Sequence, residues 1–122
     1  MYDKKVLHLL DKIIESVEVI LERTETVDSV NAFLDSSTGT LLLDGVCMKL
    51  IAVGESIKNL DKLTTGGLLV HYPQISWREV MGMRDIIVHH YFDIDADEIY
   101  KTLKEDIPLL LIALQEIQLN LK

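Results

Sequence analysis

Apolar residues recur three or four positions apart along most of this 122-residue chain. This spacing is the period of an amphipathic α-helix, and it covers residues 3–22, residues 40–60 and residues 76–91 or 92. A fourth helical stretch runs from residue 95 to about residue 121. No segment has the strict alternation of apolar and polar residues that is typical of a half-buried strand. The pattern therefore predicts an all-α protein.

Cap residues mark the starts of the last two predicted helices. Ser76 and Glu79 have the spacing of a capping box, in which the hydroxyl and the carboxylate each accept a free backbone N–H. Asp95 with Glu98 is a similar signal for the start of the last helix. Pro108 lies inside that helix. Because proline has no N–H to donate, we expect the helix to be kinked or divided there.

Two polar segments connect the long helices. Residues 24–37 include a short helical turn near residues 30–34, and residues 64–73 form the longest loop. With these connections, an up-and-down four-helix bundle is the simplest architecture. A chain of 122 residues with 48% hydrophobic residues is long enough to bury a core, so we assign residues 1–122 to a single domain.

Charge and the pattern of apolar residues narrow the class of protein. A formal net charge of -8 argues against a protein that binds nucleic acid through a broad basic surface, so any contact with RNA has to be local. No apolar run reaches the ~18 residues that cross a bilayer. The first residues lack the apolar stretch and cleavage site of a signal peptide, which predicts a cytoplasmic protein. The single cysteine, Cys47, lies in an apolar stretch that predicts a buried thiol.

The segment 84–91 concentrates the reactive side chains of the chain. It holds Arg84, Asp85, His89, His90 and Tyr91 within an otherwise apolar helical pattern. Such groups cost free energy when they are buried without partners. Asp85 and His89 lie about one helical turn apart, close enough for the carboxylate to accept an imidazole N–H. That contact would fix the tautomer of the imidazole.

These residue types suit cleavage of RNA by its own 2′-hydroxyl. The reaction needs a group that moves protons, which His89 can supply, and a cation for the phosphoryl oxygens, which Arg84 can supply. It needs no metal, and the neighbouring His89 and His90 diverge on a helix, so we predict no metal site and no cofactor. Arg84 and His89 point about 140° apart on an ideal helix. Either the arginine reaches around, or the helix end distorts, or a second subunit completes the site.

The segment 72–92 closely resembles a known family. It reads YPQISWREVMGMRDIIVHHYF, and the HepT-like family of HEPN-domain proteins has roughly the pattern Y-P-x-I-x-W-x-x-I-x-G-M-R-[ND]-x-x-x-H-x-Y-F. Residues 106–108, Asp-Ile-Pro, are similar to the Asp-Leu-Pro of the family's last helix. With an N-terminal helix of matching length, the resemblance covers essentially the whole chain.

The resemblance implies a fold, a reaction and a partner. HepT-like proteins are all-helical homodimers and toxins of prokaryotic toxin–antitoxin pairs, with an R-x₄-H motif of metal-independent endoribonucleases in a cleft between the two subunits. The motif residues here are Arg84 and His89, with Asp85 in support. The motif tyrosine, here Tyr91, is the family's acceptor of AMP, and the donor enzyme is a cognate minimal nucleotidyltransferase antitoxin.

Two further side chains are candidate contacts to substrate or to the second subunit. They are Arg78 and His90. Arg78 lies one turn before Gly82, on the same face of the predicted helix as Asp85 and His89.

A modified tyrosine would add negative charge and bulk beside a site for RNA, which gives the modification a physical basis for inactivation.

Other interpretations of the same residues remain open. His89 could be a structural residue, buried or at the surface, that pairs with Asp85. Arg84 could pair with a carboxylate of another helix such as Glu55, and Tyr91 could be a core aromatic residue. His90, where the family commonly has a small residue, and the acidic composition favour a second function. This is a non-catalytic helical dimer that binds a nucleotidyltransferase and is modified by it. A third interpretation is a purely structural helical dimer, in which the motif residues are replaceable.

Overall fold

The computed structural model describes residues 3–89, residue 93 and residues 95–122, and these residues form helices and connecting turns with no strand among them. The prediction of an all-α protein is therefore confirmed. The α-helices are α1 (Lys4–Arg23), α2 (Asn31–Leu34), α3 (Ser37–Leu63), α4 (Trp77–His89), α5 (Ala96–Lys101) and α6 (Ile107–Leu121). A 3₁₀ turn at Leu69–His71 lies in the predicted long loop. None of the described helices combines the length and the apolar character that crossing a membrane requires.

Helix α1 forms because a capped start is followed by one continuous apolar stripe. The carboxylate of Asp3 accepts the backbone N–H groups of Lys5 and Val6, which have no partner inside the helix. The buried side chains then recur at helical spacing. They are Val6, Leu10, Ile13, Ile14, Val17 and Ile20. This stripe packs against α3 and α6, so α1 contributes one wall of the core.

Helix α3 is the longest element and contacts three other helices, α1, α2 and α4. It extends three residues beyond each predicted end, because Ser36 caps its start and Thr64 closes its last turn. The Ser36 hydroxyl accepts the N–H of Gly39 at 2.9 Å, and the Thr64 hydroxyl donates to the carbonyl of Leu60 at 2.9 Å. Its buried residues join those of α1 and α6 in one apolar core.

The last helical region changes character immediately before Pro108. Helix α5 starts at the predicted cap, where the carboxylate of Asp95 accepts the N–H groups of Asp97 and Glu98. A π-helical segment, Thr102–Asp106, then leads into α6, which carries Pro108 in its first turn. Pro108 has no N–H to donate to the carbonyl one turn back. The series of α-helical hydrogen bonds is therefore interrupted where the π-helical segment meets α6.

Helix α4 begins one residue after Ser76, close to the predicted start. The Ser76 carbonyl accepts the N–H groups of Glu79 and Val80. In the described part of the chain the Ser76 hydroxyl makes no capping hydrogen bond. Instead, the buried indole of Trp77 donates to the carbonyl of Tyr72 at 2.8 Å, which ties the start of the helix to the preceding loop. The predicted end at residues 91–92 lies outside the described residues.

Helices α3 and α4 approach each other most closely at Gly54. A Cβ atom at this buried glycine would lie 2.9 Å from the carbonyl oxygen of Val80 and 3.6 Å from the backbone nitrogen of Arg84. A side chain here would have to push the two helices apart, because the nearest atoms belong to backbone. The small residue therefore sets the distance between α3 and the motif helix.

The effect of this glycine can be measured against a matched glycine of the same helix. Gly54→Ala should lower the free energy of unfolding by about 1–3 kcal/mol, the usual cost of overpacking. Gly45→Ala is the control, because no described atom apart from the neighbouring backbone of its own helix lies within 4 Å of its Cβ position. It should be neutral or should stabilise the protein by up to ~1 kcal/mol, since alanine is the better helix former. Urea unfolding of both variants checks this, and equal effects would contradict the close contact.

Candidate functional site

The side chain of Arg84 lies between two carboxylates. Its Nε atom is 3.3 Å from the Oε1 atom of Glu55 in α3, and its Nη1 atom donates to the Oδ1 atom of Asp85 at 3.1 Å. The side chain of Arg84 is 45% exposed and that of Glu55 is 46% exposed. The ion pair with another helix, one of the interpretations left open by the sequence, is therefore present. A half-exposed guanidinium also remains accessible to a ligand.

Asp85 has a different partner from the one that helical spacing suggested. Its carboxylate pairs with the neighbouring Arg84, and no hydrogen bond joins it to His89 in the described part of the chain. Residues one turn apart are within reach of each other, but a long arginine side chain next in sequence competes for the same carboxylate. Asp85 is well exposed, so this pairing is a surface interaction.

His89 is the last residue of α4, and it is exposed. Among the described residues it has no hydrogen-bond partner. The helix is regular from Trp77 to His89, so a distortion of the helix between Arg84 and His89 does not bring the two side chains together. Arg84 is turned toward α3, where Glu55 lies. His90 and Tyr91, the remaining polar residues of the motif, lie outside the described residues.

Exposed apolar side chains lie close to the polar residues of the motif helix α4. Ile86 is 64% exposed and Val88 is 43% exposed, although both lie in the motif helix. Across a groove of about 400 Å³ lies the exposed Leu109 of α6. Gly82 and Arg78 also face away from the core, and no described atom lies within 4 Å of the Cβ position of Gly82. The surface around the motif therefore offers both polar groups and an apolar area.

Cys47 is separate from this site. It is buried in α3, and burial together with the nearby Asp44 carboxylate raises its pKa to about 11. At neutral pH the group is therefore a thiol, and a protonated thiol is a poor nucleophile.

No three histidine, cysteine, aspartate or glutamate side chains of the described residues lie close enough together to hold a metal ion.

The comparison with known proteins decides the family. A family model described as ribonuclease HepT-like matches residues 6–117 of the chain. This chain belongs to the HepT-like ribonuclease family. The "Probable ribonuclease HepT" of Thermococcus cleftensis is 35% identical to this HepT-like protein over 101 residues, which are 83% of this chain and 84% of the relative.

Two other relatives share the same region. A protein of Methanocaldococcus jannaschii, whose name joins a gamma-glutamylcyclotransferase and a candidate RNase, is 35% identical over 107 residues. The match is 88% of this HepT-like chain but 45% of that relative, so this chain spans less than half its length. A candidate RNase of Caldanaerobacter subterraneus is 29% identical over 108 residues, 88% of this chain and 89% of the relative. No solved structure is significantly similar.

One part of the site has only a weak signal in the sequence. Gly54 is an isolated glycine inside an apolar helix, directly before Glu55. A glycine in such a place often marks a close backbone approach, but periodicity does not say which helix approaches. The structure identifies that helix as α4, and it thereby brings Glu55 to Arg84.

Proposed function

We propose that this HepT-like protein is the toxin of a prokaryotic toxin–antitoxin pair and a metal-independent endoribonuclease of the cytoplasm. The observation that carries the proposal is the placement of Arg84 and His89. Both are solvent-accessible on one helix of a protein whose relatives are named as ribonucleases. In this proposal residues 1–122 form a single HEPN domain, a four-helix up-and-down bundle that acts as a homodimer.

The proposed reaction needs only side chains of the protein. An imidazole of His89 removes the proton of a ribose 2′-hydroxyl, and the oxygen attacks the adjacent phosphorus. The bond to the 5′-oxygen breaks, and a proton from a second imidazole neutralises that oxygen. Arg84 stabilises the extra charge on the phosphoryl oxygens through its fork of N–H donors. The products are a 2′,3′-cyclic phosphate and a free 5′-hydroxyl. Asp85 is the supporting residue, since its carboxylate accepts a hydrogen bond from Arg84.

A homodimer would supply the second imidazole. It would also explain how Arg84 and His89, which point about 140° apart on one helix, can act at one site, because the two side chains would come from different subunits. Two features of the described surface support it. The motif helix exposes Ile86 and Val88 beside the polar groups, and a second copy could cover them. Gly82 leaves the same helix open for close approach by another backbone. Arg78, exposed one turn earlier, and His90 are candidate contacts to RNA or to the second subunit.

Inactivation is proposed to occur by transfer of AMP to Tyr91. The phenol oxygen would attack the α-phosphorus of ATP, held by the nucleotidyltransferase antitoxin, and pyrophosphate would leave. The product carries negative charge and an adenosine two residues from His89. Repulsion of the RNA backbone and steric exclusion then both oppose substrate binding.

A second candidate function has its own supporting observation. The guanidinium of Arg84 has two carboxylates within 3.3 Å, so the local charge of this trio is negative. Such a site attracts phosphate weakly, and the chain as a whole has a net charge of -8. This favours a non-catalytic helical dimer that binds a nucleotidyltransferase and is modified by it.

One experiment separates the two functions. The protein is expressed alone and together with the nucleotidyltransferase encoded beside it, its intact mass is measured, and each sample is incubated with total RNA in EDTA. The toxin function predicts cleavage by the protein expressed alone, and added AMP with loss of cleavage after co-expression. Added AMP with no cleavage in either sample would select the non-catalytic dimer, and cleavage that EDTA abolishes would refute metal independence.

A further inference from the structure

The ion pair between Arg84 and Glu55 connects the motif helix with α3. Both side chains are about half exposed. Pairs of this kind contribute little to stability, because water screens the charges and both side chains lose freedom. The fold therefore depends little on this contact. An ion pair that holds a functional arginine in one orientation is a better explanation for its presence at this place.

The main chain fixes Glu55 with respect to Arg84. Gly54, the residue directly before Glu55, lies against the backbone of α4 at Val80 and at the nitrogen of Arg84 itself. The carboxylate and the guanidinium thus project from two regular helices that touch at their bases. Neither residue belongs to a loop, so the distance between the two charged groups follows from the packing of the helices.

The position of the carboxylate leaves part of the guanidinium for a ligand. Arginine has five N–H donors in a rigid plane. Glu55 lies at Nε, and Asp85 accepts from Nη1. No described side chain pairs with Nη2. A carboxylate at Nε therefore orients the plane of the guanidinium, and Nη2 is the nitrogen to which no described side chain is bound, so a phosphoryl oxygen can accept from it.

We propose that Glu55 is a positioning residue, which holds Arg84 in the orientation that binds the phosphoryl oxygens during cleavage. This inference rests on the proposed ribonuclease function. Asp85 is less suited to the role, because its more exposed side chain starts from the same helix as the arginine. Glu55 does not touch the RNA in this arrangement and acts only through Arg84.

Enzyme kinetics test the positioning role. Glu55→Gln should lower kcat by about 10- to 100-fold with a smaller change in KM, because misplacement of a catalytic group has effects of this size. Glu55→Asp should recover part of the loss. Asp44→Asn, which removes the same charge from α3 away from the arginine, should leave cleavage within about twofold of the parent. A Glu55→Gln variant as fast as the parent, or faster, would overturn the proposal and would mean that the carboxylate competes with phosphate.

A second measurement does not depend on cleavage. The chain has three arginines, Arg23, Arg78 and Arg84, so the Nε–H signals of ¹⁵N-labelled protein can be assigned by substitution. Glu55→Gln should shift the Arg84 signal and speed its exchange with water, while Asp44→Asn should not. An unchanged Arg84 signal would overturn the positioning role. A parent protein that cleaves no RNA, with this spectral difference present, would instead refute the ribonuclease function and leave the positioning of Arg84 supported.

Discussion

Arg84→Ala and His89→Ala should each lower RNA cleavage by at least about 100-fold, the usual loss when a general acid–base or a charge-stabilising group is removed. Both side chains of α4 are exposed or half exposed, so neither variant leaves a cavity in the core. The thermal midpoint of each should stay close to that of the parent. Initial rates of cleavage in EDTA on a short labelled RNA measure the effect.

Two control substitutions remove an arginine and a histidine outside the motif. They show whether the loss of any cation or any imidazole is enough to reduce cleavage. Arg23→Ala removes an exposed arginine at the end of α1, and His8→Ala removes an exposed histidine from the same helix. Both should cleave at nearly the rate of the parent. If either control loses as much activity as the motif variants, the activity belongs to something other than the motif.

Mixing the two inactive variants shows whether the site is shared between subunits. A heterodimer of Arg84→Ala and His89→Ala subunits contains one intact pair when the arginine of one subunit works with the histidine of the other. Refolding the two variants together should then restore part of the cleavage. The heterodimer keeps only one of the two imidazoles, so recovery should be partial. No recovery, with heterodimers demonstrated by native mass spectrometry, would mean that each subunit uses its own pair or that cleavage needs both imidazoles.

Tyr91→Phe should abolish AMP transfer, because phenylalanine lacks the oxygen that attacks the α-phosphorus. Co-expression with the antitoxin should then give a protein of unmodified mass that still cleaves RNA. Tyr100→Phe is the control, since Tyr100 is a partly buried tyrosine of α5, and its variant should gain as much AMP as the parent. Undiminished AMP on Tyr91→Phe would move the modification to another residue and would refute the assigned role.

Much of this protein can be predicted from local sequence pattern. The spacing of apolar residues locates the long helices. A helix has about 3.6 residues per turn, so side chains that face the core recur every three or four positions. The cap at Asp95 and the change of helix type before Pro108 follow from hydrogen bonds of the chain within a few residues. The motif itself is also local, since Arg84 and His89 belong to one helix.

The partners of these residues required the tertiary structure. Helical spacing places Asp85 within reach of His89, yet the carboxylate pairs with Arg84, because two nearby groups compete and only their orientations decide. From the sequence, Glu55 is one of several carboxylates that could pair with Arg84. Which carboxylate lies close depends on which helices pack together and on how far they are shifted along each other.

The sequence by itself therefore determined the helices, their approximate ends and the identity of the motif residues, all of which depend on interactions over one or two turns. Only the tertiary structure decided that α3 meets α4 at Gly54 and that Glu55 thereby reaches Arg84, 3.3 Å apart. Glu55 and Arg84 are 29 positions apart in the chain. The contacts between the two helices arise from the packing of whole helices, whose relative position depends on every side chain of the shared core.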